Sequence, residues 1–375
     1  MTHRERQRKS LLFQKPDKVT LSPGGPREST LAAWRQQGLP EGVDYDDALL
    51  DLLGLEPEPR RPVPDLGVSF KMIPQFEEKV LEHRDGHYVV QDWMGAVTEI
   101  SDRYDYTYIR SAKDFVTRKW HKFPVQTRRD WEEMAWRYDS KTPGRRPEDL
   151  DGRCEALKDC DGFLRIHFNG PFWQLREWFG LENLCTMMID DPDFIREMID
   201  FWTDFVSETL APVLERITPD QVGFSEDMAY KAHSMISLQM VRRFLMPTYD
   251  RWVSEIRASG CELIFMDSDG HIGELIPIWI EAGINCCGPM EVAAGNDIVA
   301  YRRTFGRKMA YIGGIDKRAI AKGGKAMEEE VLRVVPPLLE LGGYIPGCDH
   351  GVPPDISWPN YVEYACLLAR LTGWL

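Results

Sequence analysis

The sequence predicts an α/β fold, a (β/α)8 TIM barrel with an elaborated N-terminal region, on three observations. Short apolar runs recur through the C-terminal half, each bounded by Gly or polar residues. A helical pattern follows each run, and each run ends on a polar cluster. Buried parallel strands read this way because both of their faces are covered. Polar strand tips are where α/β proteins keep their chemistry, at the carboxyl end of the sheet. A doubly wound open sheet shows the same alternation. However, no GxGxxG and no GxxxxGK followed by Ser or Thr appears after any strand, so a nucleotide-cradling loop has no support.

The central unit is Glu262–Pro277, where Leu263-Ile264-Phe265-Met266 meets Asp267, Asp269 and His271. Around it, strands are expected at Gly162–Phe168, Gln221–Phe224, Glu262–Met266, Ile284–Cys287, Met309–Ile312 and Gly343–Pro346. Asp191-Pro192 marks a helix start ahead of an apolar stripe through Phe194, Met198, Phe201, Trp202 and Phe205, and Ser237 caps a helix running to Ala258. Upstream, Val19–Ser22 reads as a first strand, Ser29–Trp34 as the start of a capped helix, and Asp46–Leu55 as an amphipathic helix. Lys79–Ile100 switches to period two, with Asp85-Gly86 in a hairpin turn. Thr127–Tyr138 reads as a helix. The strand candidates near 20 and 90 would complete the eight. Residues 1–160 form the N-terminal helices, hairpin and first barrel strands, and 161–375 the main βα-repeat part of the same domain.

The composition of the 375 residues is 43% hydrophobic and 28% charged, enough for a large core. The balance of 46 basic against 60 acidic residues, net −14, disfavours nucleic acid and anionic membrane surfaces as partners. No apolar run is long enough to span a bilayer, and Leu11-Leu12-Phe13 is too short for a signal-peptide core, so the expectation is a cytoplasmic protein. Eight scattered cysteines without CxxC pairs point to reduced thiols, most of them small buried residues.

The strand ends carry Asn169, Glu226, Asp227, Asp267, Asp269, His271, Glu291, Asp316, Lys317, Cys348, Asp349 and His350. Any one of these can be a helix cap, since Asp and Asn ahead of a helix satisfy free N–H groups. All six tips, however, bear ionisable or amide groups. Asp267 and Asp269 alternate on an extended segment, so both carboxylates face one way. Such a pair shares a proton, holds a cation, or closes the DSDG turn by hydrogen bonds to its own backbone. With His271, Cys348 and His350 they would compose a mixed O/N/S metal site. Glu226 and Asp227, beside Tyr230 and Lys231, are either an acid–base pair or a helix-start pair favoured by the dipole.

Five stretches resemble the uroporphyrinogen decarboxylase superfamily, which includes cobalamin-dependent methyltransferases. They are FNGPFWQLREWFGLENL (168–184), SEDMAYKAHSMIS (225–237), DSDGHIGELIPIWIEAG (267–283), GGIDKRAI (313–320) and GGYIPGCDHGVPPDISWPNYVEY (342–364). The resemblance covers over half the chain. It implies a barrel with its site in the C-terminal mouth and is closest to the methyltransferase branch. The Arg-rich N-terminal segment of the true decarboxylases has no counterpart; Gly24-Gly25-Pro26-Arg27 is the nearest stretch. Their late Gly-His-Gly is echoed by Asp349-His350-Gly351. Asp267 and Asp269 stand where the zinc methyltransferases have His-x-Cys, and their last ligand corresponds to Cys348 or His350.

The resemblance therefore implies a methyl transfer between a small methylated substrate, or tetrahydrofolate, and a corrinoid (cobalamin) on a partner protein, with Zn2+ as the implied metal. Asp267, Asp269 and His350 would polarise the reacting oxygen, and Glu226 or Asp227 would handle the proton. Asn169, Trp173, Tyr230, His271, Asp316, Lys317 and Asp349 would line the substrate and cofactor space. One alternative is decarboxylation of a porphyrinogen or other carboxylated substrate, which requires arginines in the mouth; Arg27, Arg165 and Arg318 are the candidates. Another is a non-catalytic corrinoid- or ligand-binding protein.

Overall fold

A computed structural model describes residues 1–56, 64–110, 114 and 116–375. It contains two sheets. The first is antiparallel, in the order β1 (Lys79–Arg84), β2 (His87–Gln91), β3 (Val97–Ser101), β4 (Arg118–Lys122). The β1–β2 turn is Asp85-Gly86, both residues at positive φ, which matches the twist of an antiparallel pair. The second sheet is parallel and runs in chain order: β5 (Arg165–Asn169), β6 (Gln221–Ser225), β7 (Leu263–Asp267), β8 (Cys286–Gly288), β9 (Ala310–Ile315), β10 (Tyr344–Cys348). Helices lie between successive strands, as parallel pairing requires. All six expected strands exist, with tips one to three residues beyond the expected ends.

The parallel sheet is the wall of a (β/α)8 TIM barrel. Ile166, Phe168, Val222, Phe224, Ile264 and Met266 turn outward into the main core with the helices. The alternate residues turn inward, where Leu263, Cys286, Ala310 and Ile345 meet Phe163 and Leu11 in a second buried cluster. β5 and β10 are the outer strands of the ladder, and a flat sheet would hold them about 24 Å apart. Their neighbours Phe163 and Ile345 nevertheless share that cluster, so the wall curls. Between the two edges run irregular segments. The Cys348 N–H donates to Pro23 O (3.0 Å) and the Val352 N–H to Gly25 O (2.9 Å) beside β10, while the Phe70 ring lies 4.8 Å from Phe168 of β5.

The structure departs from the sequence expectations at four places. The stretch near 20 runs beside the wall without forming a regular strand. The strand near 90 belongs to the antiparallel sheet, because its alternation is satisfied by β1 and β3. The helix expected from Ser237 begins there, capped by that hydroxyl, but Val241–Leu245 is a π-turn before Met246–Ala258. Pro247 has no N–H to continue the regular ladder. The capped helix expected at Ser29 starts at Glu28 without a side-chain cap. Asp191 and Thr127 cap the helices expected behind them. All eight cysteines are free. Among the described residues, no helix is long and apolar enough to cross a membrane.

The floor of the barrel comes from a segment with no strand or motif signal. Helix His3–Leu11 closes the amino-terminal end, placing Leu11 in the inner cluster. Arg4 Nε donates to Asp220 Oδ2 (2.8 Å) and Arg8 to Oδ1 (3.2 Å), while the Leu164 N–H also donates to Oδ2 (2.7 Å). The Asp220 side chain has no exposed surface. Its replacement leaves buried donors without an acceptor, which typically costs about 3–5 kcal/mol. Asp220→Ala is therefore expected to lower unfolding stability by about that much, and Arg8→Ala, at a half-exposed partner, by about 1 kcal/mol or less. Equilibrium denaturation in urea of both variants checks the ratio.

Candidate active site

The pairing register aligns Asn169, Ser225 and Asp267 at the ends of β5, β6 and β7, and Gly288 follows in β8. At this level a polar chain crosses the mouth. His167 Nε2 lies 2.8 Å from Ser225 Oγ, and Ser225 Oγ donates to Asp267 Oδ2 (2.5 Å). With the single hydroxyl proton directed to Asp267, the imidazole serves as donor to Ser225 through Nε2. Burial raises the Asp267 pKa, and the neighbouring Asp269 and Asp227 charges add to the rise, against the Ser225 hydrogen bond. Burial lowers His167 to about 4, with the Arg165 charge adding to the shift, so the imidazole is neutral.

Beyond this chain the loops after β7, β8 and β10 meet. Ligand atoms of Asp269, Glu291 and His350 all lie within 4.8 Å of one another, a group able to hold a metal ion. His350 Nε2 is 3.5 Å from Asp269 Oδ2, and this contact raises the histidine's pKa against the opposing effect of burial. Glu291 accepts the Gly270 N–H (3.0 Å) and lies 3.5 Å from Lys317 Nζ. Asp349 is fully buried and accepts the N–H groups of Val292 (2.9 Å) and Lys317 (3.2 Å), tying the loop after β8 to the one after β9.

The expected metal residues thus divide. Asp269 and His350 come together with Glu291, a strand-end residue not assigned to the metal set from sequence. Asp267 lies beside them, bonded to Ser225. Cys348 does not join the group: it occupies an outward strand position, its thiol in the main core and its pKa raised to about 12 by burial. The donor set is two carboxylates and an imidazole, without thiolate.

Glu226 is fully buried, its carboxylate held by the Trp173 N–H (3.0 Å) and the Tyr249 hydroxyl. It caps the helix Pro171–Phe179 at Gly170, where an added Cβ would lie 2.3 Å from the carboxyl carbon. Asp227 holds a positive φ of 39° and is clamped by Arg176, which donates to its carboxylate (2.8 Å) and its carbonyl (2.7 Å). Trp173 stacks on Arg176 at 4.5 Å. Tyr230 is exposed, and its carbonyl accepts the His271 N–H (2.8 Å). His271 Nδ1 faces Ala294 O (3.0 Å), so this ring braces the loop. Asp316 caps its helix and pairs with Arg318. Asn169 bonds Gln174 (3.1 Å) and, with His167, Phe70, Trp93 and Glu177, lines a cavity of about 500 Å³ beside β5. Lys317 is the one candidate among these that touches the metal group directly.

His167 and Ser225 have no place in the sequence reading, and Glu291 stands there only as a strand-tip residue without a role. The signal that finds the first two is strand parity: on β6, Gly223 and Ser225 share the inward face, so Glu226 begins the turn away from it.

A barrel whose acidic, histidine-bearing tips surround one mouth defines an enzyme-type α/β barrel. The chain matches the uroporphyrinogen decarboxylase (URO-D) family over residues 170–364, more than half its length, and it belongs to that family. A methyltransferase from Methanosarcina mazei shares the fold, with 16% identity and a TM-score of 0.55 over 100% of both chains. A mandelate racemase/muconate lactonizing enzyme from Sulfitobacter sp. is similar at 13% identity and a TM-score of 0.30 over 79% of this chain and 75% of its own, too low to carry an argument. No curated protein matches the sequence.

The enclosure of Glu226 has a consequence for stability. Desolvation raises its pKa to about 7 from 4.5, so between those values the folded chain holds a proton that the unfolded chain releases. With respect to this group, stability is greatest below about pH 4.5 and falls by about 3 kcal/mol as the pH climbs to 7. Glu226→Gln mimics the protonated carboxyl. It is expected to match the wild type near pH 5 and exceed it at pH 8, read from denaturation midpoints at both pH values.

Proposed function

We propose that this chain is a methyltransferase that moves a methyl group between a small methylated substrate, or tetrahydrofolate, and a corrinoid carried on a partner protein. The observation that carries the reading is the convergence of Asp269, Glu291 and His350 within 4.8 Å at the barrel mouth. Family membership and the fold shared with a methyltransferase support it. Two carboxylates and an imidazole suit Zn2+ or a harder divalent cation and leave a position for substrate. A cation held there supplies Lewis-acid polarisation of the substrate's oxygen or sulfur.

The chain's own residues do the rest. Lys317 and the Gly270 N–H hold Glu291 in place, as outer partners of a metal ligand do. Asp267, with its raised proton affinity, exchanges the proton of the demethylated or accepting group, and the Ser225–His167 pair orients it. This gives Asp267 the role that sequence reading offered to Glu226 or Asp227. Trp173 and Tyr230 form part of the rim that a corrinoid would face. The decarboxylase alternative needs several arginines around one substrate. Arg318 is committed to Asp316, Arg27 lies against Gly351, and Arg165 opens β5 at the end of the strand away from the mouth, so the three do not gather.

Titration of the full chain with methylcobalamin, with and without Zn2+, tests the reading by visible absorbance. Zn2+-dependent demethylation in the presence of a thiol or tetrahydrofolate acceptor is expected. Binding without turnover would instead indicate a non-catalytic protein, and no spectral change would remove the proposal. His350→Ala is expected to weaken Zn2+ binding by more than about tenfold, and Lys317→Met by about tenfold, both read by calorimetry.

A further inference from the structure

The antiparallel sheet has no part in the chemistry proposed above, yet its β2–β3 connection brings Trp93 and Met94 to the cavity of about 500 Å³ beside β5. Residues 68–72 and the helix Pro171–Phe179 supply other walls. His167 and Asn169 of β5 line it too, so the cavity adjoins the polar chain that runs through Ser225 to Asp267. Much of the lining is aromatic, from Phe70, Trp93 and Phe168 among others.

Two lining side chains have polar atoms without a protein partner. Glu177 is half-buried and takes part in no hydrogen bond or ion pair among the described residues. The cations that act on it are engaged by other acids: Arg176 clamps Asp227 (2.8 Å), and Arg118 stands 4.0 Å from the buried Asp92. Two arginines thus serve three carboxylates, and Glu177 is the one left over. Burial raises its pKa against both arginines, with the Asp92 and Asp227 charges adding to the rise. Neither cation therefore replaces the water that this carboxylate has lost. Gln174, only 5% exposed, spends its carbonyl on the Asn169 amide (3.1 Å). That single bond leaves the Gln174 N–H groups and the Asn169 carbonyl unsatisfied by protein at the cavity wall. Lys71, the other charge on the lining, is exposed to solvent.

We infer that this cavity binds an organic ammonium group, the positive end of the substrate, between the Glu177 carboxylate and the aromatic walls. The carboxylate supplies the missing counter-charge, and ring faces attract an alkylated ammonium that water solvates poorly. Where the ammonium carries an N–H, the Asn169 carbonyl accepts it. The site keeps this positive charge on the β5 side, apart from the metal group on the loops after β7, β8 and β10. Two strand spacings, about 10 Å, separate β5 from β7. A substrate with its ammonium in the cavity and its reacting group at Asp267 is therefore a chain of several bonds. The role as substrate anchor rests on the methyl-transfer reading above, whereas the cation site itself does not.

The test uses the full chain with tetramethylammonium and n-butylammonium chloride as probes, at ionic strength held constant with sodium chloride. Calorimetry is expected to show saturable binding of at least one probe to the wild type. Glu177→Gln should weaken it by about tenfold or more, and Phe70→Leu by about threefold. Without probe, Glu177→Gln is expected to melt at or above the wild-type temperature, because it removes an enclosed charge that no cation pairs. Asp269→Asn should bind the probes as the wild type does. Absence of saturable binding, or unchanged binding in Glu177→Gln, would overturn the site. So would loss of binding in Asp269→Asn, or a lower melting temperature of Glu177→Gln without probe. Probe binding that depends on Glu177, without methylcobalamin demethylation, would leave the cation site standing and sink the methyl-transfer reading. Demethylation with no probe binding would do the reverse.

Discussion

The two-sided alternation of the barrel strands is the constraint on which the rest of this structure depends. Each strand must present one face to an apolar helix layer and the other to a hollow, and the backbone permits only every second residue on each side. Phe168, Phe224 and Met266 are therefore committed to the outer core, and His167, Gly223 and Phe265 to the interior. The same rule separates neighbours that look equivalent on paper. Ser225 reaches Asp267 across the mouth while Glu226, one residue later, is drawn beneath a helix. Cys348 sinks into the core while the loop behind it carries His350 to Asp269.

The charges follow the same geometry. Asp269 and Glu291, from two loops, are tolerable together at the rim because solvent, Lys317 and His350 offset their repulsion. Asp349 stays in a fully buried position because two backbone N–H groups and the nearby ammonium of Lys317 compensate it. Asp220 does so at the opposite end, where two arginines of the N-terminal helix and a strand N–H converge on it. Glu226 has helix N–H groups, a tyrosine hydroxyl and the Arg176 charge, but these do not outweigh its desolvation. Its proton affinity accordingly rises to near neutrality. Each of these enclosed acids thus has a local reason to remain.

Much of this was legible in the residues. The six apolar runs located the six parallel strands because short buried strands leave few alternatives. The polar tips identified the mouth, since a parallel barrel puts all its strand ends on one side. Asp85-Gly86 gave the hairpin, and Asp191, Thr127 and Ser237 gave helix starts, because turns and caps are settled by local chemistry. Less visible were Glu291 as a partner of His350, the enclosure of Glu226 and the plug formed by His3–Leu11. Each depends on which strand curls next to which, and no local pattern encodes that.

The sequence by itself determined that the chain is an α/β barrel of the URO-D family and that acids and histidines gather at one end of it. Those are properties of period, turn chemistry and motif, all readable within a few residues. Only the tertiary structure decided which of those groups meet. The closing of the wall joins loops about twenty to eighty residues apart (Asp269, Glu291 and His350) and withdraws Cys348 and Glu226. The physical reason is that side-chain direction is local, whereas proximity across a curved sheet is not.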